Sequence, residues 1–481
     1  MPTRLLYLTI LIEGYVVLAV ELLAIRQLLP FAGSGVEVVA IAISGVLLPL
    51  AIGYHYGGIA YARAFARARR RGTRPPSIRR ILQLNIVIAL LILTFGLSYP
   101  VLEDFFGFLT NHGVRHRLAQ TSAYTTIFLV LPVFLLGQTV PLISRYFSRR
   151  RLSEITGRML FFSTTGAFFG SVFSTLVLMS FIGVHNTVIV TLGMLAALAV
   201  MLGGKGRRRG AAAAIALFLL AVILNCGIGL RAVGVVSDNA YNIARVIPLP
   251  EEDAKILMLN RSPSSEIGHD PEQRADYIKY IEKSFIATMP PATGPRDILV
   301  IGAGGFTLGV NDTFNHYIFV DIDPAMKDIA EQHFLPEKLT PNKQFVASSA
   351  RAFLRRDDKH YDLIVLDAFQ NAYAIPMECT TREFLQDVKA RLKPNGVVAA
   401  NIFASPDFRD KFSARYDRTF GSVFPIHARH AIEEFDPWRQ EDATDPAHYL
   451  ANVIYVYFNT PLAGDDTIYT DDKNTYSIDR P

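Results

Sequence analysis

At 481 residues the chain is long enough for two or three domains, and 51% hydrophobic content with a positive mean hydropathy is too apolar for an ordinary soluble protein. The formal charge of +5 is unevenly placed: loops 62–80, 145–158 and 205–209 hold 8, 5 and 4 Arg or Lys, and without them and their single acid, Glu154, 31 basic residues face 42 acidic ones. That distribution argues against nucleic acid, since no basic patch interleaved with aromatics is left in the second half; two cysteines, Cys226 and Cys379, build neither a disulfide framework nor a zinc site, and no metal is expected.

Seven apolar segments fill the first half, at about Leu5 to Ile25, Val36 to Ile59, Ile81 to Val101, Tyr124 to Ile143, Met159 to Ile182, Thr187 to Leu202 and Ala211 to Leu230. Most approach the roughly 20 residues that cross a bilayer, and the sixth is short. The first reads as a span rather than a secretory signal, because it lacks a convincing cleavage site and six more follow. The basic loops fall after the second, fourth and sixth segments, whereas the opposite loops carry only Arg26, Arg115 and Arg117. A ratio of 17 to 3 predicts cytoplasmic basic loops beside anionic headgroups, and an inside amino terminus.

Within the spans, Glu13 and Glu21 lie eight residues apart, about 80° around a helix, and an intramembrane carboxylate is costly enough to suggest function. Glu21 has a second reading, near the surface and paired with Arg26. Pro132, Gly137, Gln138 and Pro141 predict a broken fourth helix that lines a cavity or kinks against neighbours. Gly166, Ala167, Gly170 and Ser171 in the fifth predict a face for close helix packing.

From about Arg231 the composition is that of a soluble α/β domain. The expected division is 1–230 transmembrane helical, 231–290 a small β-rich element, and 291–481 a Rossmann-like domain. Short apolar strands Ile243 to Ile247 and Ile256 to Leu259 predict a β-hairpin. ADYIKYIEKSF follows as a helix in which Tyr277, Tyr280 and Ile281 recur at helical spacing, either a core stripe or a tyrosine surface for a ligand.

The stretch Asp297 to Asp323 predicts strand, glycine turn, helix, strand and acidic stop within one βαβ length. Ile298 to Ile301 has the β-branched content of a strand buried on both faces. Gly302, Gly304 and Gly305 then permit a sharp turn and a ligand close to the backbone, with amides of the next helix's first turn free to bind it. Tyr317 to Val320 ends at Asp321, nineteen residues after Gly302, a spacing that suits a carboxylate accepting hydrogen bonds from a ribose. Phe345 and Val346 precede Ser348 and Ser349, and YDLIVLDAF is a further buried strand ending on Asp367. Asp321, Ser349 and Asp367 thus occupy three successive strand ends, the edge where open α/β sheets bind ligands. Thr380 and Glu383 predict a capping box for a helix that stops near Lys393 to Gly396. Strands Val397 to Phe403, near Pro425 to Arg429, and Val453 to Phe458 complete a mainly parallel sheet of about seven.

DPEQRADYIKYI, ILVIGAGGF, FVDIDPAMKDIA, YDLIVLDAF, IPMECTTREFL and LKPNGVVAANIF, in that order, resemble the spermidine synthase (polyamine aminopropyltransferase) family over about residues 235–480, most closely its bacterial branch fused to a multi-pass membrane domain. LPVFLLGQTVPLI in the membrane half is similar to that branch as well. The resemblance implies the class I methyltransferase type of Rossmann-like fold and a cosubstrate, S-adenosylmethionine or its decarboxylated form, lying across Gly302 to Gly305. Asp321 would hold its ribose, Ser349 stands where the family's adenine-contacting aspartate would, and Ile322 and Ala350 are further cofactor-binding candidates. Asp367 matches the first aspartate of the family's D-x-x-D, and Tyr277 joins it as a catalytic candidate; Gln370, Tyr280 and Tyr373 are candidate substrate contacts. A carboxylate there can orient an amine and accept its proton, after which attack beside the sulfonium expels 5'-methylthioadenosine.

Three carboxylates of that pattern are absent: Gly305 replaces an acid in the glycine turn, Gln370 the second aspartate of D-x-x-D, and Ser349 the adenine-contacting aspartate. Charge recognition of a polyamine such as putrescine is weakened accordingly, while Tyr277 and Tyr280 offer cation–π surfaces. The expected function is therefore a membrane-bound, aminopropyltransferase-like enzyme of polyamine biosynthesis that releases methylthioadenosine. Acceptor-independent cleavage of S-adenosylmethionine, methyl transfer, and a transporter or sensor whose soluble domain only binds ligand remain alternatives. Expected partners are the nucleoside, a polyamine, membrane lipid and a second copy in a dimer. The location is the inner (plasma) membrane. Seven crossings leave the second half outside unless one segment is re-entrant, whereas cosubstrate supply favours the cytosol.

Overall fold

The computed structural model describes residues 2–33, 35–73, 77–147, 152–203, 208–270, 272–287, 294–369, 375–432 and 450–460. The chain divides into two compact units, Met1–Ser264 and Ser265–Phe369 with Ile375–Pro481.

Seven helices among the described residues of the first unit are long and apolar enough to cross a membrane: Thr3–Ala32, Val36–Arg70, Ile78–Gly96, Arg117–Ser144, Ser153–Ile182, Val184–Gly203 and Arg208–Asn225. Their bounds correct the sequence expectation in three places. The third stops at Gly96 rather than Val101, because Pro100 starts a separate helix, Tyr99–Asn111. The sixth is a full 20 residues. The seventh ends at Asn225, where Cys226 turns extended before a short helix, Gly227–Ala232. In the fourth, the helix is interrupted at Gln138, between Leu131–Gly137 and Thr139–Ser144, and Asn85 donates both to Leu135 O and to Gln138 Oε1.

Helix Thr3–Ala32 lies against Leu152–Phe173 at backbone distance. A Cβ on Gly166 would sit 2.1 Å from Leu11 O, and one on Gly170 2.2 Å from Tyr15 O. Small residues are required because van der Waals contact between backbones is what holds apolar helices together. Glu13 is buried on this first helix, 1% exposed.

Four antiparallel strands follow in the order β1 (Val235–Asp238), β2 (Ile243–Leu249), β3 (Ala254–Leu259), β4 (Ser262–Gly268). The expected hairpin is β2–β3, and the strands flanking it were too short and polar to announce themselves. Tyr99, Leu230, Val235 and Ile243 form a small apolar cluster that joins β1 and β2 to the helix ends.

The second unit is a seven-stranded sheet in the order β10-β11-β9-β8-β5-β6-β7: β5 Asp297–Ile301, β6 His316–Asp321, β7 Lys343–Ala347, β8 Tyr361–Leu366, β9 Leu392–Ala404, β10 Ala428–Ile432 and β11 Ala451–Phe458. Strands β5 to β9 pair in parallel and β10 and β11 add antiparallel. The fold is thus a bundle of long apolar helices followed by a Rossmann-like α/β domain. The helix after β8, Arg382–Lys389, starts one residue later than expected: Thr381 caps it by accepting from Phe384 N, because Thr380 closes the 3-10 turn Met377–Thr380.

Gly166→Leu should overpack the helix contact and cost about 3 kcal/mol or more, seen as a lower Tm in detergent. Gly157→Leu on the same helix, with nothing within 4 Å of its Cβ, should leave Tm nearly unchanged.

Candidate active site

The site forms where β5, β6 and β8 end side by side. Gly302 leaves β5 with φ 96°, and its N–H donates to Val320 O at 2.9 Å while Asp367 N donates to Ile301 O at 2.8 Å. A Cβ on Gly302 would lie 2.2 Å from Asp367 O, so both the dihedral and the space require glycine. With β5 between β6 and β8, Asp321 and Asp367 flank this turn from strands separated by about 10 Å, two strand spacings.

No helix follows the turn. Between Gly302 and Asn315 the chain runs through turns, with Gly304, Phe306 and Gly309 in left-handed conformation. At the far end of the loop Asp312 accepts from Phe314 N and Asn315 N, which competes with helical bonding there. Side chains from earlier in the chain hold the loop instead. Ser265 Oγ accepts from Gly305 N at 2.8 Å and Glu282 Oε1 from Gly309 N at 2.6 Å. Arg274, 5% exposed, pairs with Glu282 at 2.7 Å and donates to Thr307 O at 3.0 Å. Helix-terminal amides expected for a ligand are therefore absent, and the Gly305 amide is already used.

Asp321 accepts from Ala303 N at 3.1 Å through Oδ2 and from Asp323 N at 2.9 Å through Oδ1. Burial pushes its carboxyl up to about 6, against the pull of those amides. Ile322 beside it is an exposed apolar side chain, 45% accessible at the strand tip. Ser349 is turned to capping: its Oγ accepts from Ala352 N at 3.3 Å, and Ala350 opens the short helix it caps.

Asp367 is held from two sides. Tyr277 Oη donates to its Oδ2 at 2.9 Å, and Asn401 Nδ2 donates to its Oδ1 at 2.9 Å. Tyr277 and Asn401 are buried, at 8% and 3% exposure, while Asp367 is half-buried. Helix Asp276–Ile281 delivers Tyr277; β9, paired with β8 through Leu366 and Ala400, delivers Asn401. Tyr280 is directed to a different neighbour, stacked on His430 with ring centroids 4.4 Å apart. Gln370 and Tyr373 lie outside the described residues.

Sequence reasoning missed Asn401, Ser265, Glu282 and Arg274. Asn401 had a signal, as the lone polar residue in the apolar run of β9. The other three had none, since their partners are backbone atoms of a loop expected to be helical.

Residues 279–432 match the spermine/spermidine synthase domain. The chain is 33% identical over 162 residues to a polyamine aminopropyltransferase of Vibrio vulnificus, covering 32% of this chain and 53% of that one. It is 38% identical over 147 residues to an N-terminal histidine N-methyltransferase of Emericella nidulans, covering 28% and 25% respectively. The chain therefore spans about half the length of the first of these curated relatives and a quarter of the second. A crystal structure of a probable spermidine synthase from Corynebacterium glutamicum aligns with TM-score 0.37 and 20% identity, over 49% of this chain and 81% of that one.

Removing the carboxylate that pins the loop should be costly. Glu282→Ala leaves the buried Arg274 with only the exposed Glu272, 3.8 Å away, as a charge partner, a loss of about 2 kcal/mol, measurable by denaturant unfolding, and hydrogen exchange at Gly309 should speed up.

Proposed function

We propose, on the premise that the carboxy-terminal domain belongs to the spermine/spermidine synthase family through residues 279–432, that this chain is a multi-pass membrane transferase of the aminopropyltransferase type. Its cosubstrate is an adenosyl sulfonium, S-adenosylmethionine or the decarboxylated form, and its product is methylthioadenosine. The observation that carries this reading is the oriented carboxylate of Asp367, fixed by Tyr277 and Asn401 one strand away from the Gly302 turn.

The chemistry follows from that geometry. Asp321 accepts hydrogen bonds from the ribose, with the adenosyl group lying across Gly302 to Gly305 and against Ile322. Asp367 accepts the proton of an alkylammonium such as putrescine. The freed amine forms a C–N bond at the carbon beside sulfur, the C–S bond breaks, and its electron pair goes to sulfur, which leaves as a neutral thioether. Two neutral donors hold the plane of the base, so little reorganisation is needed as the proton moves.

A second reading is favoured by the missing acids. Gly305 has no side chain and its amide is spent on Ser265, while Ser349 caps a helix, so little fixed charge supports a polyamine. In that reading the carboxylate of S-adenosylmethionine attacks its own γ-carbon, forming a C–O bond and breaking the same C–S bond. Methylthioadenosine then appears without any amine.

The purified full chain with decarboxylated S-adenosylmethionine and putrescine should yield spermidine and methylthioadenosine. Methylthioadenosine from S-adenosylmethionine alone selects the second reading, and adenosylhomocysteine instead marks methyl transfer. No product from either sulfonium donor sinks the enzymatic reading. Asp367→Asn should lower kcat by about 10²-fold or more while leaving nucleoside affinity nearly unchanged. Ligand-dependent transport that survives Asp367→Asn would instead assign the work to the helices, where the buried Glu13 lies.

Affinity for the nucleoside should be level above about pH 7 and fall about tenfold per unit below about 6. The sign follows from the acceptor: protonation below the carboxyl's own value removes the oxygen that ribose hydroxyls need. Calorimetry across pH should show this slope in the native chain and lose it in Asp321→Asn.

A further inference from the structure

The two ends of the helical bundle differ in chemistry, and each end identifies itself by its own contacts. At one end lie the helix ends that lead into the basic loops of the sequence, with Arg79 and Arg145 among the described residues. There Arg79 donates to Met201 O and Leu202 O, and Arg145 donates to Gly58 O and lies over the Tyr61 ring at 5.3 Å. These contacts join the ends of four of the seven helices beside the basic loops, the third to the sixth and the second to the fourth. The opposite end holds Arg26, Phe31, Tyr99, Glu103, His185 and Asn225. Here Tyr99 meets His185 edge-on at 6.0 Å, and Asn225 donates to Ser98 Oγ at 2.7 Å.

The four-stranded sheet is attached to this second, charge-poor end. Arg26 donates to Asn239 O at 2.8 Å, and Arg245 pairs with Glu103 at 2.6 Å. Asp238 Oδ2 accepts from His185 N at 2.9 Å, so a carboxylate of β1 satisfies the first turn of helix Val184–Gly203. Arg261 lies over Phe31 at 4.9 Å. The apolar cluster of Tyr99, Leu230, Val235 and Ile243 closes the joint. Strand β4 then runs directly into the second unit, and no apolar helix long enough to return across a membrane occurs among the described residues after Asn225.

We infer that the transferase unit stands on the side of the membrane opposite the basic loops, the non-cytoplasmic side. Arg and Lys beside membrane helices are retained in the cytoplasm, and the bonds above place the sheet at the other end of the same helices. The cytosolic location favoured by cosubstrate supply is thereby reversed, with all seven helices crossing and none re-entrant.

This inference rests on the membrane reading above, and a consequence for chemistry rests also on the sulfonium cosubstrate. A sulfonium nucleoside is a fixed cation that does not cross lipid unaided. The step that supplies this active site must therefore be a translocation of the charged nucleoside, and its neutral thioether product is released away from the cytosol.

The test is independent of activity. Full-length chain in a bacterial inner membrane, in a Cys226→Ser, Cys379→Ser background, receives one cysteine at either of two exposed positions. Arg71→Cys lies in the first basic loop and Glu251→Cys in the turn between β2 and β3. In intact spheroplasts a membrane-impermeant maleimide should label Glu251→Cys at once and Arg71→Cys only after permeabilisation. The reverse pattern, labelling of both, or protection of both until permeabilisation overturns the inference. Recovery of the chain in the soluble fraction would remove the membrane reading itself, a separate failure. A carboxy-terminal alkaline phosphatase fusion should be active and the matching green fluorescent protein fusion dark; the opposite pair overturns the inference equally.

Discussion

The contact on which the second unit depends is that between the turn leaving β5 and the chain leaving β8. With Asp367 O only 2.2 Å from where a Gly302 side chain would begin, the two backbones can pass only through a residue without one. That approach keeps β5 and β8 in register to their last residues and puts Asp367 at the mouth of the turn. Parallel pairing on the other side of β5 sets Asp321 opposite it. Two carboxylates with different partners result, one bonded to backbone amides and one to a tyrosine and an asparagine.

Around that contact the loop Gly302–Asn315 departs from the usual expectation for a nucleoside turn. A helix would have offered free amides at its first turn. Here Ser265, Glu282 and Arg274 take over the task of satisfying the loop's backbone, which makes the loop well held but leaves fewer donors for a ligand. Under the proposed function, recognition would fall more heavily on Asp321 and on apolar surface such as Ile322. The absence of acids at Gly305 and Ser349 would act in the same direction, toward a site that holds the proposed nucleoside by shape and one carboxylate rather than by several charges.

The first unit is organised by the opposite principle. Its helices approach through glycine, with Gly166 and Gly170 against the backbone of Leu11 and Tyr15, and its polar contacts are concentrated at the two ends. Hydrogen bonds that dock the small sheet at one end, by Arg26, Glu103 and His185, give the bundle two chemically different ends.

Much of this was legible in the order of residues. Apolar runs of bilayer length, buried β-branched strands and the acids that end them are local signals, since each depends on the period and content of a few consecutive residues. Asp321, Asp367 and Gly302 could be named for that reason. The loop after Gly302 could not, because whether Phe306 and Gly309 turn left-handed depends on Glu282 and Ser265, tens of residues away. Nor could the hydrogen bonds by which Tyr277 and Asn401, from two other elements, hold Asp367, or the stacking of Tyr280 on His430, although the resemblance had already grouped Tyr277 with Asp367. Composition and periodicity by themselves determined the helical bundle, the parallel sheet and the edge where Asp321 and Asp367 end their strands, because burial is written locally. Which side chains meet there, and at which end of the bundle the sheet is fastened, only the tertiary structure decided, because those hydrogen bonds join residues whose separation along the chain carries no trace of their contact.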